Sequence, residues 1–411
     1  MDSAGEPDWS AVWAQSGAAS LSGRSGGPAL DVPHALVRLA TESAAAIAES
    51  SGALGRRIEI NGPALLGERA ALMGLGRAGA TSCGGATRVM PTADDWIVVC
   101  LARNSDIDSV PAWLGATVGT NDELWPSVLS LVARRLTHDL VERGVLLGMP
   151  VARLGEVERP GSLVRASPLG TSPNTNSRVT LADAVVVDLS ALWAGPLCAH
   201  LLGLAGARVI KVESVDRPDG ARFGNGEFFD LLHGGHESVC VDFRDNRDID
   251  ALRSLLQCAD VVIESSRPRA LEQLGIVPSD MSHLSVWLSI TGYGRDRAAA
   301  RRVGFGDDAA VAGGLATSDE SGPCFCADAV ADPLTGMVAA AAVLSVLREG
   351  NRALLDVALA RTAAWAAHGP LTDIRGRALD VPRCRRRGPG AAPIGRDTEA
   401  VFSEFEVGRR G

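Results

Sequence analysis

Short apolar runs alternate with helix-length segments between residues 182 and 347, and this alternation limits the folds open to the chain. Val/Ile-rich runs of strand length, separated by helical segments, predict a parallel sheet with helices on its faces. The predicted strands are 184–189, 207–212, 238–243, 259–264, 285–290 and 353–359. Parallel sheets bind ligands at the carboxyl ends of their strands. We therefore predict an α/β fold whose functional residues follow these runs.

Composition excludes several classes of function. A chain of 411 residues is too long for one simple hydrophobic core, so two or three domains are expected. The charged fraction of 22% is that of an ordinary globular protein. A net charge of −9 argues against a nucleic-acid-binding surface. The eight cysteines form no Cys-x-x-Cys motif and no histidine pair has metal-ligand spacing, so no metal site is predicted. With no apolar signal core and no run of roughly 18 apolar residues, we expect a cytoplasmic protein that enters no membrane.

The predicted elements divide the chain into five parts. Residues 1–55 are an Ala/Gly-rich helical segment, and 56–160 are a smaller α+β region with strands predicted at 88–90, 96–101 and 151–154. Residues 161–181 are rich in Pro, Gly, Ser and Thr, which predicts a linker. The Rossmann-like sheet domain covers 182–370. The tail, 371–411, is loop-like except for a last helix at 398–405.

Asp332 precedes Pro333 at the start of a predicted helix, 333–347. An Asp in this position is commonly an N-cap that accepts hydrogen bonds from the first amides of the helix. A chemical role is the alternative, because the helix dipole keeps such a carboxylate ionised and an ionised carboxylate can attack a thioester. Spacing alone favours the cap. Asp307 and Asp308 form a similar pair at another predicted helix start, where capping is also the plainer interpretation.

The first predicted strand lacks the motif of a nicotinamide dehydrogenase, Gly-x-Gly-x-x-Gly, after its end. The sequence also has no Gly-Lys-Ser/Thr of a P-loop. Arginines that follow the second and fourth strands could reach phosphates at the ligand edge, or could be solvated loop residues. They are Arg217, Arg222, Arg267 and Arg269.

Two short stretches near the two ends of the chain resemble each other, and an internal repeat is one interpretation of them. Residues 12–17 and 26–28 resemble residues 310–314 and 321–323. In this alignment Val37 matches Asp332, so only the second copy keeps the carboxylate.

Several long motifs resemble, in the same order, those of the class III CoA-transferases. That family includes formyl-CoA and carnitine CoA-transferases and the α-methylacyl-CoA racemases. The motifs lie at 187–190, 194–196, 206–213, 238–242, 259–264, 289–294, 331–337 and 392–401. Cys83-Gly84-Gly85 and residues 94–99 resemble the glycine loop and first strand of the family's small domain, which there follows the sheet domain. The resemblance thus implies a Rossmann-like CoA-binding domain plus a smaller α+β domain in rearranged order.

The resemblance also implies site residues and a reaction. Asp332 falls on the catalytic aspartate, which attacks an acyl-CoA thioester and then carries CoA as an aspartyl-CoA thioester. Gly84 and Gly85 match the loop that covers the site. The family's CoA contacts map to Ala191, Leu192, Ser265, Ser266, Ala270 and Gln273.

The sequence departs from the family at several of these positions. Trp193 stands where formyl-CoA transferases carry Gln, and Ser214 and Gln273 replace basic residues that meet CoA phosphates. CoA recognition could therefore shift to Arg217, Arg222 or Arg267. A further departure is Phe305, which stands where the racemases place a catalytic His and so ranks racemisation second.

The predicted function is transfer of CoA between an acyl-CoA donor and a small carboxylic acid. The CoA thioester is a substrate, and no permanently bound cofactor is expected. The alternatives are an α-methylacyl-CoA racemase or isomerase, and a non-catalytic CoA-binding subunit. The interlocked dimers of the family imply a homodimer that binds no nucleic acid.

Overall fold

The computed structural model describes residues 7–169, 180–266, 269–386 and 388–407. Its strands are β1 (Thr87–Pro91), β2 (Trp96–Cys100), β3 (Val151–Arg153), β4 (Val164–Pro168), β5 (Val185–Leu189), β6 (Arg208–Ser214), β7 (Glu237–Val241), β8 (Val261–Glu264), β9 (Val286–Thr291), β10 (Ala316–Asp319), β11 (Gly322–Phe325) and β12 (Ala353–Ala358). Its helices are α1 (Trp9–Gln15), α2 (His34–Ala53), α3 (Gly62–Leu65), α4 (Glu68–Met73), α5 (Asn104–Leu114), α6 (Leu124–Val132), α7 (Thr137–Leu146), α8 (Ala194–Leu204), α9 (Gly226–His233), α10 (Asn246–Gln257), α11 (Arg269–Gln273), α12 (Gly306–Ala312), α13 (Ala331–Glu349), α14 (Leu359–Ala366) and α15 (Thr398–Val407).

Seven of these strands form one sheet, in the order β4-β12-β9-β8-β5-β6-β7. The strands from β12 to β7 are parallel to their neighbours. Their Val and Ile runs face helices on both sides, so Val186, Val187, Val262 and Leu288 are wholly buried. Each of the six predicted strands begins and ends within two residues of the observed one. The predicted α/β fold class is confirmed.

One edge of the large sheet comes from the stretch that was predicted to be a linker. β4 pairs antiparallel with β12, with Arg165 opposite Asp356. β4 is mostly exposed, so it has no buried apolar run from which a strand could be predicted. Its last residue, Pro168, donates no backbone hydrogen bond, which an edge strand tolerates. Residues 170–179 of the predicted linker lie outside the described residues.

A smaller antiparallel sheet, in the order β1-β2-β3, precedes the large sheet in the chain. Its apolar face packs with α5, α6 and α7 around the buried Trp113. α12, from the sheet region, packs against this small sheet. The amides of Gly155 and Val157 donate to the carbonyls of Val311 and Ala312 at 3.0 and 2.9 Å. The two parts of the chain are therefore in direct contact at the end of α12. A separate hairpin, β10-β11, was not predicted.

α13 is the central helix of the sheet region and packs against α2, α8 and α14. The sequence predicted a helix over 333–347, and the observed helix begins two residues earlier, ends two residues later and is mostly buried. With 19 residues and a mean hydropathy of 1.3, it is the one helix among the described residues long and apolar enough to cross a membrane. The expectation that no segment meets this criterion is thus wrong. The criterion is weak evidence here, because 67% of the helix window is buried and buried core helices meet it too.

Replacing Gly336 of α13 by Ala is expected to destabilise the protein by about 1–3 kcal/mol. An added Cβ would lie 2.7 Å from the carbonyl oxygen of Ala194 and 3.1 Å from Cβ of Leu197, so α8 and α13 would have to separate. This cost exceeds the gain of about 1 kcal/mol in helix propensity. Thermal denaturation measures the change. Gly52→Ala in α2 is the control, because its Cβ would meet only the flexible Arg57 side chain, and it should not destabilise.

Candidate active site

Asp332 is the second residue of α13 and stays partly accessible to solvent. It is not the N-cap, which is Val330, so the capping interpretation is wrong. Ala327 and Ala329 lead into the helix with φ angles of 54° and 43°, which residues with a Cβ rarely adopt. Together with Leu192 they are three of the four non-glycine residues with positive φ in the described chain. Such backbone strain is concentrated at functional sites.

Three further carboxyl groups lie around Asp332. At the start of α12, Oδ1 of Asp307 accepts a hydrogen bond from the Ala329 amide at 3.0 Å. Its neighbour Asp308 is fully buried, and Oδ1 accepts from the Phe305 amide at 2.8 Å. Asp308 thus has the predicted capping role, whereas Asp307 ties α12 to the entry of α13. The third group, Asp328, is also fully buried.

Arg69 of α4 brings a positive charge to this cluster from the first half of the chain. Its Nε donates to Oδ2 of Asp328 at 2.8 Å, and its Nη2 donates to Oδ1, so the ion pair is bidentate. The Arg69 Nη2 lies 3.5 Å from where a Cβ on Gly84 would stand. The neighbouring Cys83 thiol is 3.5 Å from the carbonyl oxygen of Ala327. The glycine loop predicted from the sequence therefore lies beside the entry to α13 in the same chain.

The environment of Asp332 favours the neutral acid more strongly than water does. Burial raises the pKa of Asp332 from 3.8 to about 7; Arg69 opposes this shift, Asp307 adds to it, and a hydrogen bond from the Gly306 amide opposes it. Burial, and next the charge of Asp328, raise the pKa of Asp307 to about 6. A carboxyl group with a pKa near 7 is about half ionised at neutral pH. Such a group can act as a nucleophile and then leave, and pKa shifts of this size mark functional sites.

Two of the predicted CoA-binding segments meet at the carboxyl edge of the large sheet. The Ala191 amide donates to Oγ of Ser265 at 3.2 Å, which joins the turns after β5 and β8. Leu192 is exposed, and its amide donates to Oδ1 of Asp219 at 3.0 Å. Asp219 in turn pairs with the buried Lys211 at 3.0 Å, so a buried ion pair fixes the turn. This agrees with the rule that places ligands at the carboxyl ends of parallel strands.

The other predicted CoA contacts differ in accessibility. Ser266 is partly buried, and its hydroxyl donates a hydrogen bond to Oε2 of Glu264 at 2.8 Å. Ala270 and Gln273 both lie on α11 and are exposed. Trp193 is buried, with the Arg69 guanidinium 5.5 Å from its ring. Arg267 lies outside the described residues.

Of the arginines considered for CoA phosphates, Arg222 already has a partner. Its guanidinium donates to both carboxylate oxygens of Glu213, with Nη2 at 2.6 Å, and lies over the Phe229 ring. Arg222 is therefore held by an ion pair, and its contact with CoA phosphates stays a prediction. Arg217 is exposed. A residue that sequence reasoning missed is Arg295, which reaches the same sheet edge and pairs with Glu264 at 3.1 Å.

Sequence reasoning also missed Arg69 and Asp328, which are 259 residues apart in the chain. The only signal for Asp328 is its place four residues before Asp332, and no signal pointed to Arg69.

Within the described ranges, no group of three or more His, Cys, Asp or Glu side chains could hold a metal ion. A cavity of about 390 Å³ lies at the amino ends of β6 and β7, away from the carboxyl edge where Ala191 and Ser265 meet.

Known proteins resemble about half of this chain. It is 29% identical over 213 residues to an acyl-CoA transferase of Fusarium pseudograminearum, covering 46% of this chain and 47% of that protein. It is 30% identical over 190 residues to the succinyl-CoA:glutarate CoA-transferase of Mus musculus, covering 43% and 44%. The crystal structure of a CAIB/BAIF family protein from Brucella suis matches with 29% identity and a TM-score of 0.42, covering 45% of this chain and 54% of that one.

The chain thus spans about half the length of the curated relatives it matches. Residues 181–396, more than half of the chain, match CoA-transferase family III. The matched region contains β5 to β12, the turn at Ala191 and Asp332. The resemblance found in the sequence motifs is confirmed, and the chain belongs to CoA-transferase family III.

Proposed function

We propose that this protein transfers CoA from an acyl-CoA to a carboxylic acid through Asp332. The observation that carries the proposal is the setting of Asp332 at the start of α13, where a partly accessible carboxyl group has a pKa raised to about 7 mainly by burial. The glycine loop and the turn after β5 both approach Arg69, which faces this carboxyl group. A thioester bound along the carboxyl edge of the sheet could therefore reach Asp332.

The reaction proceeds in four acyl transfers. The Asp332 carboxylate attacks the donor thioester, releases CoA thiolate and forms a mixed anhydride. The thiolate attacks the aspartyl carbonyl, which frees the donor acid and leaves an aspartyl-CoA thioester. The acceptor carboxylate then attacks this thioester and forms a second anhydride while the thiolate leaves. Finally the thiolate takes the acceptor acyl group, and the Asp332 carboxylate is regenerated.

The substrates in this proposal are an acyl-CoA and a small carboxylic acid, with no permanently bound cofactor. Succinyl-CoA is a reasonable first donor, since the relative from Mus musculus is named for succinyl-CoA and glutarate. The homodimer and the cytoplasmic location expected from the sequence belong to the same proposal. Size-exclusion chromatography with light scattering would measure the oligomeric state directly.

Incubation with succinyl-CoA and hydroxylamine is expected to convert Asp332 to a hydroxamate. Hydroxylamine attacks an activated aspartyl carbonyl but not a free carboxylate, so the modified peptide reports the intermediate. Peptide mass spectrometry locates the adduct, and its initial rate should rise as the pH increases through about 7, because only the carboxylate attacks. Exchange of the α-proton of an acyl-CoA without an adduct would support a racemase instead. Neither signal, with CoA binding retained, would support a non-catalytic subunit.

A further inference from the structure

Arg69 is in contact with several parts of the candidate active site at once. It makes the bidentate ion pair with Asp328, its Cζ lies 5.5 Å from the centre of the Trp193 ring, and Gly84 lies beside Nη2. The Asp328 carboxylate is fully buried, whereas Arg69 is about one quarter exposed at 23%. A bidentate pair with a buried carboxylate fixes both the position and the plane of the guanidinium.

The charges at the entry of α13 are mostly negative. Besides Asp332, the carboxyl groups of Asp307 and Asp308 on α12 and of Asp328 before α13 face the same space. Other titratable or charged groups beside this cluster are the Cys83 thiol of the glycine loop, the Cys100 thiol at the end of β2, Tyr293 beside Asp308, Arg103, which is paired with Asp106, and Arg69. Among the described residues, Arg69 is the cation whose charge acts on Asp332, Asp307 and Asp328 together.

We propose that Arg69 is a positioning residue for the reaction at Asp332, because its guanidinium, held by Asp328, supplies the positive charge that lets Asp332 react as a carboxylate. This inference rests on the proposed function. Arg69 acts through Asp332 and need not touch the substrate. The first half of the chain would then contribute a charged group to a reaction whose nucleophile comes from the second half.

A purely structural role for the same ion pair is the competing explanation, since Arg69 and Asp328 also join the two halves. The two explanations predict different changes in the pKa of Asp332 when Arg69 or Asp328 is replaced. Removing either partner breaks the ion pair, so a structural role would disturb Asp332 in the same direction in both variants. A charge effect has opposite signs: loss of Arg69 raises the pKa of Asp332, and loss of Asp328 lowers it.

The test compares Arg69→Met, Arg69→Lys and Asp328→Asn with the parent protein. Two quantities are measured against pH: the carboxyl ¹³C shift of Asp332, assigned with Asp332→Asn, and the initial rate of hydroxamate formation with succinyl-CoA. We expect the midpoint of both to rise by about one pH unit in Arg69→Met, to fall in Asp328→Asn and to stay near the parent in Arg69→Lys. At pH 7 the rate in Arg69→Met should fall about fivefold and recover at higher pH.

Arg24→Met is the matched control, because Arg24 also joins the two halves through an ion pair, with Asp319 at 2.7 Å. It should leave the midpoint of Asp332 unchanged. Midpoints that move in the same direction in Arg69→Met and Asp328→Asn, or that move equally in Arg24→Met, would overturn the inference.

Loss of Arg69 leaves a buried carboxylate without its partner, so Arg69→Met could fail to fold. The double variant Arg69→Met/Asp328→Asn removes both charges and can be used in the test in place of Arg69→Met. Its midpoint should still rise, because Arg69 affects the pKa of Asp332 more than Asp328 does. An unchanged or lower midpoint would contradict the role of Arg69. If no protein in the set forms a hydroxamate, the proposed function fails, while the ¹³C titration still decides whether Arg69 sets the charge of Asp332.

Discussion

Replacing Asp332 by Asn is expected to abolish CoA transfer, by about 10³-fold or more, while the protein stays folded. Asn has nearly the same size and shape, but its amide cannot form the anhydride or the aspartyl-CoA thioester. The measurement is CoA exchange between succinyl-CoA and an added carboxylic acid, together with hydroxamate trapping. Transfer at the parent rate in this variant would rule out the mechanism.

The same substitution should stabilise the protein above neutral pH. Asp332 has a pKa of 3.8 in the unfolded chain and of about 7 in the folded protein, mainly because of burial. Between pH 3.8 and about 7 Asp332 is ionised in the unfolded chain but still protonated in the folded protein. The free energy of unfolding therefore decreases as the pH rises through this range, and the decrease is complete above about 7. Asn carries no charge at any pH. We therefore expect the free energy of unfolding of Asp332→Asn at pH 8 to exceed that of the parent by on the order of 1 kcal/mol, which a higher melting temperature would report. At pH 4 we expect no such gain.

Asp248→Asn is the control for this experiment. Asp248 is also an aspartate in the first turn of a helix of the sheet region, and its Oδ2 accepts a hydrogen bond from the Asp242 amide at 2.8 Å. Its loss should affect stability alone and leave CoA transfer unchanged. If Asp332→Asn is less stable than the parent at pH 8, the claim that the ionised Asp332 carboxylate destabilises the folded protein is wrong.

The parts of the fold that the sequence predicts are those with buried, repetitive patterns. β5, β8 and β9 are covered on both faces, so most of their residues are apolar and the strands stand out in the sequence. β4 has no such requirement, since its exposed positions accept polar residues. Its partner β12 is distant in the chain, so local pattern gives no information about this pairing. The hairpin β10-β11 is local, but its strands of four residues are too short to show a clear period.

The candidate site could be predicted only in part for the same reason. Asp332 was found because it lies in a motif beside Pro333, and Gly84 because its loop resembles one in the family. Arg69 lies in a short helix with no distinctive pattern, and its partner Asp328 is 259 residues away. The sequence therefore identified the nucleophile and the loop. The charge that faces them becomes visible only when the two halves of the chain are packed together.

Replacing Gly306 by Ala is expected to reduce hydroxamate formation at Asp332 by about 10²-fold. A Cβ at this position would lie 2.4 Å from Oδ2 of Asp332 and 2.4 Å from the carbonyl oxygen of Ala329, so the carboxyl group must move. The shift would also disturb the hydrogen bond from the Gly306 amide, which lowers the pKa of Asp332. The reaction should therefore need a higher pH, and the crowding should cost about 1–3 kcal/mol of stability.

Gly226→Ala separates this effect from a general response of glycines at helix starts. Gly226 is the first residue of α9, as Gly306 is of α12, but a Cβ on Gly226 would meet nothing within 4 Å. Gly226→Ala should therefore keep the parent rate, the parent pH midpoint and the parent melting temperature. Hydroxamate formation at Asp332 as fast in Gly306→Ala as in Gly226→Ala would show that the reaction does not depend on the present position of the Asp332 carboxyl group.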